Sequence, residues 1–208
     1  MVMEVVLIAY TVKYKISPDN SAGASGWTEP LIDLIYGNVS HFSVSCCMTE
    51  EKIPKRRHIR ELVMQALYAI EISKDAPQHV IDTILGELKE SGNDFDFAQS
   101  LFIKTIAHQA EIDKRLKSKT EHWDFHRIAL IDKILLRMSL SELLFFPDIP
   151  PKVTINEAIE IAKDYSTESS GTFINGIMDA VLIELKKEGL MNKTGRGLLD
   201  SQAKKPHA

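Results

Sequence analysis

From Arg56 onward the apolar positions of this chain recur at the three- and four-residue spacing of α-helices. Ile59, Val63, Ala66, Leu67 and Ile70 form one stripe, and Glu61, Gln65 and Glu71 fall away from it, which predicts an amphipathic first helix ending near Ser73. Pro77 suits a first helical turn, and Val80, Ile81, Ile84, Leu85 and Leu88 predict a second helix closed by Ser91, Gly92 and Asn93. A third is predicted from about Asp96 to Lys117, on Phe97, Leu101, Ile103, Ile106, Ala110, Ile112 and Leu116. The fourth, on Ile128, Ile131, Leu135 and Met138 to Phe145, must end before Pro147, because a residue preceding proline avoids the α region. Thr154 and Glu157 have capping-box spacing, which predicts that a helix begins there and runs to Tyr165. Ser169 and Ser170 are candidate caps for a last helix on Phe173, Ile177, Val181 and Leu185, stopped by Gly189. No period-2 run stands out between 55 and 190, so the expected fold class is all-α.

The ends read differently. Residues 1–50 string together turn formers (Pro18, Asp19, Asn20, Gly23, Gly26) without helical period and are expected to be an extension outside the domain. Met48 precedes a polar lead into the first helix, as at the start of a reading frame; from these residues alone, a mis-assigned upstream start and a genuine flexible tail both stand. Residues 55–187 are expected to form the domain and 190–208 a disordered tail.

Composition narrows the chemistry. With 208 residues, 44% of them hydrophobic, the chain can bury one good core, whole or split into two small subdomains. No apolar run approaches the roughly 20 residues needed to span a bilayer, so a cytoplasmic, non-membrane protein is expected. Cys46 and Cys47 are adjacent, which suits neither a disulfide framework nor zinc. His122 and His126, four residues apart around Trp123, lack further ligands, so no metal is expected. Dinucleotide and phosphate loops and nucleophile elbows are missing, so neither cofactor nor catalytic residue is expected. Gly176, inside the last helix, reads as a site of close helix approach, and Arg137 as a structural cation satisfied by Glu142 or Glu157.

Net charge is −4, yet Lys55, Arg56, Arg57 and Arg60 cluster with His58 at the amino end of the first helix. The helix dipole disfavours cations there, so something other than helix stability should favour them. Arginine forks match phosphates, and a basic arm can order on single-stranded RNA. Tyr68, on the same helix, could stack on a base. The plainer alternatives are a solvated charged end and a half-buried core tyrosine.

The stretches RRHIRELVMQALYAIE, IDKILLRMSLSELLFFPDIPPKVTINEAIEIAKDYS and SSGTFINGIMDAV resemble the NusB family of bacterial transcription antitermination factors over about 55–187. The resemblance implies an all-α domain of two small helical subdomains, six or seven helices in all, without catalytic activity. It also implies binding of single-stranded boxA RNA together with NusE, a ribosomal small-subunit protein, in the RNA polymerase antitermination complex on ribosomal RNA operons. Position by position, Lys55, Arg56, Arg57 and Arg60 match the family's RNA-binding arm, and Gln65 and Tyr68 its QALY segment. Lys163 and Phe173, from the two late motifs, are secondary candidates for the same surface. Residues 1–47 and those after about 190 match nothing in the family, which favours Met48 as the start, and the sequence departs from the pattern near Glu168 to Gly171. The same module also occurs in ribosomal RNA cytosine methyltransferases, the alternative reading.

Overall fold

The computed structural model describes residues 55–120 and 125–196; the expectations for 1–50, for His122 and for the far end of the tail lie outside the described residues. Within them the secondary structure is helical throughout. Helix α1 spans Lys55–Ser73. Lys74, at φ 58°, turns the chain into a short α2 at Pro77–Val80. A wide π turn at Ile81–Leu85 and a tight 3-10 turn at Gly86–Ser91 continue it. The predicted second helix is therefore one helical run of changing pitch, and Val80, Ile81, Ile84, Leu85 and Leu88 are all buried along it. The wide turn passes to the tight one at Gly86, the weakest helix former of the run.

The predicted third helix is two, α3 at Asn93–Ala107 and α4 at Gln109–Lys119, broken at His108 (φ −105°, ψ 13°). α3 packs on α1, whereas α4 packs on the last helix. A straight rod could not bury both Leu101 and Phe102 at one end and Ile112 and Leu116 at the other. After a short turn at Phe125–Arg127 come α5 (Leu130–Phe145), α6 (Pro151–Tyr165) and α7 (Ser170–Lys187).

Helix α5 is buried nearly all round and is the wall shared by the two halves, α1–α3 on one side and α4, α6 and α7 on the other, with one continuous core. Three charged residues go in with it, and each ties it to another element. Glu142 accepts from Arg60 of α1, at 2.8 Å from Nε and 2.9 Å from Nη2, and from Thr154 Oγ1 of α6 at 2.6 Å. Arg137 donates to both oxygens of Asp113 on α4, at 2.7 and 2.8 Å. Asp132 accepts from Ser166 and Ser170 at the α6–α7 junction, at 2.7 and 2.9 Å. Burying a charge is unfavourable unless it is paired or hydrogen-bonded, and these contacts fix how the halves register.

Three local features differ from the expectation. The capping box does not form: α6 starts three residues before Thr154, with Pro151 in its first turn, where a fixed φ and a missing N–H cost nothing. Thr154 and Glu157 are interior residues that bond to other helices. Arg137 is structural as expected, but its partner is Asp113 rather than Glu142 or Glu157. Gly176 faces open space; the close approach is at Gly171, where an added Cβ would lie 3.3 Å from Ile159 Cγ2. Gly189 does end α7, at φ 69°, with Gly189 N–H on Lys186 O and Leu190 N–H on Leu185 O, a Schellman closure. Beyond it the start of the expected tail is held down: Thr194 N–H donates to Pro147 O at 2.9 Å and Lys193 Nζ to Phe146 O at 2.9 Å.

Candidate nucleic-acid interface

Each cation of the basic arm meets a carboxylate from elsewhere in the chain. Lys55, its side chain 73% exposed, sits 2.6 Å from Asp94 in the first turn of α3. Arg56, 54% exposed, lies 3.9 Å from the other Asp94 oxygen and stacks over the Phe97 ring, 4.7 Å from its centre. The Lys55 hydrogen bond, with Arg56 nearby, holds the Asp94 carboxyl below the usual carboxylate range. Arg57 donates twice to Glu157 of α6, at 3.1 and 3.3 Å, and reaches Glu160 at 3.9 Å; the Glu157 bonds raise its already high pKa. These acids answer why a helix start tolerates so many cations: they supply the negative charge that the dipole there lacks.

Arg60 differs in kind. It is 4% exposed, and its fork is closed on Glu142, itself 1% exposed, while Nη1 donates to Arg56 O at 3.2 Å. This guanidinium braces α1 against α5 and faces protein on all sides. Lys55 and Arg56 are the arm's outward charges, and Arg57 is partly outward, its side chain 25% exposed.

The other candidates lie along α1, α6 and α7. Gln65 Nε2 donates to the Tyr165 hydroxyl at 3.4 Å, so with Arg57 and Glu157 it defines a constant offset of 100 residues between α1 and α6, which run the same way. Tyr68 is half-buried and packs against the core. Lys163 is exposed and lies 2.5 Å from Glu160, which also faces Arg57; Lys163 foremost, then Arg57, lowers the Glu160 pKa. That shared acid joins Lys163 to the arm. Phe173 sits on α7, half-buried against the core.

Sequence reasoning missed Asp94, Phe97, Glu142 and Glu160 as neighbours of the arm. Asp94 lies ahead of the predicted start of the third helix near Asp96, and nothing local said which cation it would meet. Among the described residues no group of three or more His, Cys, Asp or Glu could hold a metal ion. None of the described helices is long and apolar enough to cross a membrane.

The family model for NusB matches residues 57–182. A transcription antitermination protein NusB from Salinibacter ruber is 48% identical over 145 residues, which cover 69% of this chain and 91% of that protein. Among solved structures, NusB of T. maritima superposes with a TM-score of 0.58 at 35% identity, covering 63% of this chain and 92% of that one. A structure of antitermination factors NusB and NusE in complex with double-stranded RNA shares the fold at 21% identity, with a TM-score of 0.54 over 62% of this chain and 96% of that one.

Proposed function

This chain belongs to the NusB family, and we propose that it works as an RNA-binding antitermination factor on ribosomal RNA operons, holding boxA RNA jointly with NusE. The observation that carries the reading is the pair of outward cations, Lys55 and Arg56, at the head of α1, beside a partly outward Arg57. The relative matched over 91% of its length is an antitermination protein, and the structural neighbour that holds NusE and RNA has the same fold. Lys55 and Arg56 anchor phosphates, and Arg57 shares its charge between Glu157 and the strand. Gln65, Tyr68, Lys163 and Phe173 contact unstacked bases or the flanking backbone. Arg60 contributes by holding α1 in place. The chain performs no chemistry of its own and acts as a scaffold, in the RNA polymerase antitermination complex.

With only Lys55 and Arg56 turned fully outward in the arm, and a net charge of −4, RNA binding without a partner is weak. NusE supplies the second surface. The test is a titration of a boxA-like single strand at two salt concentrations, with and without NusE, and with a scrambled strand as control. Expected are modest affinity alone, a log-log salt slope no steeper than roughly −2 for three phosphate contacts, and tighter binding with NusE. A protein that binds neither strand, with or without NusE, at low salt overturns the reading.

A further inference from the structure

The outward part of the arm is already occupied by an internal anion. Asp94 Oδ2 lies 2.6 Å from Lys55 Nζ and Oδ1 lies 3.9 Å from Arg56 Nη2, so one carboxylate addresses both cations as a phosphate would. Its placement is not left to a mobile side chain. Asp94 follows the chain reversal at Gly92 (φ 48°), stands in the first turn of α3 where the helix dipole favours negative charge, and has only 11% of its side chain exposed. Arg56 is further aligned by Phe97, one turn along the same helix. The ends of α1 and α3 therefore present two cations and their counter-charge as a preformed unit.

We propose that Asp94 is an affinity-setting residue of the arm, a built-in competitor that an RNA phosphate must displace from Lys55 and Arg56 before it can bind. The inference rests on the RNA-binding reading above and deepens it. Two consequences follow from the geometry. Affinity is lower than the exposed cations alone would give, because the Lys55–Asp94 contact is lost when a phosphate takes its place. Salt dependence is shallower too: a cation neutralised from within holds fewer solvent anions, and the displaced carboxylate recruits a cation of its own.

Asp94→Asn keeps the shape and removes the charge. It is expected to tighten binding of a boxA-like single strand about two- to fivefold, the worth of one solvent-screened ion pair, and to steepen the log-log salt slope, because no displaced carboxylate is left to take up a cation. In a Lys55→Ala background the same substitution should lose most of both effects. Asp94→Ser, whose hydroxyl suits an early helical position, is the second variant should Asn disturb α3, and circular dichroism checks the fold of each. A purely structural Asp94 would shift the melting temperature and leave the salt slope alone; unchanged or weaker binding with an unchanged slope in both folded variants overturns the proposal. Failure of the wild type to bind RNA at all would overturn the functional reading instead, so the two failures are told apart.

Discussion

Replacing Arg60 by alanine separates a bracing arginine from an RNA-contacting one. The substitution leaves Glu142, 1% exposed, with Thr154 as its remaining partner and empties the space of a guanidinium that also bonds Arg56 O. Removing one member of a buried ion pair strands the other charge in a medium of low dielectric, which costs on the order of 3–5 kcal/mol. For a domain of this size that corresponds to a fall in melting temperature of roughly ten degrees or more. Urea unfolding followed by circular dichroism measures it: the midpoint should drop with little change in slope, the mark of altered stability rather than altered compactness. Arg60→Met paired with Glu142→Leu should recover much of the loss, since apolar residues of similar volume often replace a buried pair at little cost. Lys55→Ala and Arg56→Ala, at the outward end, should leave the midpoint near that of the wild type. If Arg60→Ala unfolds at the wild-type midpoint and its main effect is weaker RNA binding with a shallower salt slope, Arg60 faces phosphate and the bracing role is wrong.

Other outcomes follow from single positions. Gly176→Ala, in an exposed helix interior with open space at its Cβ, should raise stability by about 0.5–1 kcal/mol in urea unfolding, whereas Gly171→Ala, whose Cβ would lie 3.3 Å from Ile159 Cγ2, should gain less or lose; an equal gain at both would refute the packing at Gly171. Gly189→Ala should lower the melting temperature because its φ of 69° strains any residue with a Cβ; an unchanged melting temperature would argue against the Schellman closure. Glu160 titrates below its ordinary value of 4.5, held there first by Lys163 and then by Arg57, so its contribution to stability is complete above that value and is lost as pH falls through the lower folded one. Lys163→Ala should move the Glu160 midpoint up toward 4.5, read by carboxyl NMR, and an unmoved midpoint would refute the contact.

The helices α1, α5, α6 and α7 were legible as periods, because burial of one face imposes the 3.6-residue spacing whatever the partner is. The break at His108 was not: Ile106, Ala110 and Ile112 keep a helical rhythm across it. Only the placement of α4 against α7, away from the surface that α3 covers, requires the bend. Thr154 and Glu157 show the opposite error, since their spacing matched a local motif while their hydrogen bonds were committed to Glu142 and Arg57.

For the candidate interface, the chain by itself determined that four certain cations stand within six residues at the head of a helix and that the helix dipole could not be what favours them there. Which of them face solvent was decided by tertiary structure. Arg60 points inward because Glu142, 82 residues away, is carried to it on the buried helix α5, and Arg57 is half drawn in by Glu157, 100 residues away on α6. Periodicity follows from the geometry of one helix and can be read along the chain, whereas charge pairing depends on which helices are brought side by side. That packing is set by the shape of the shared core.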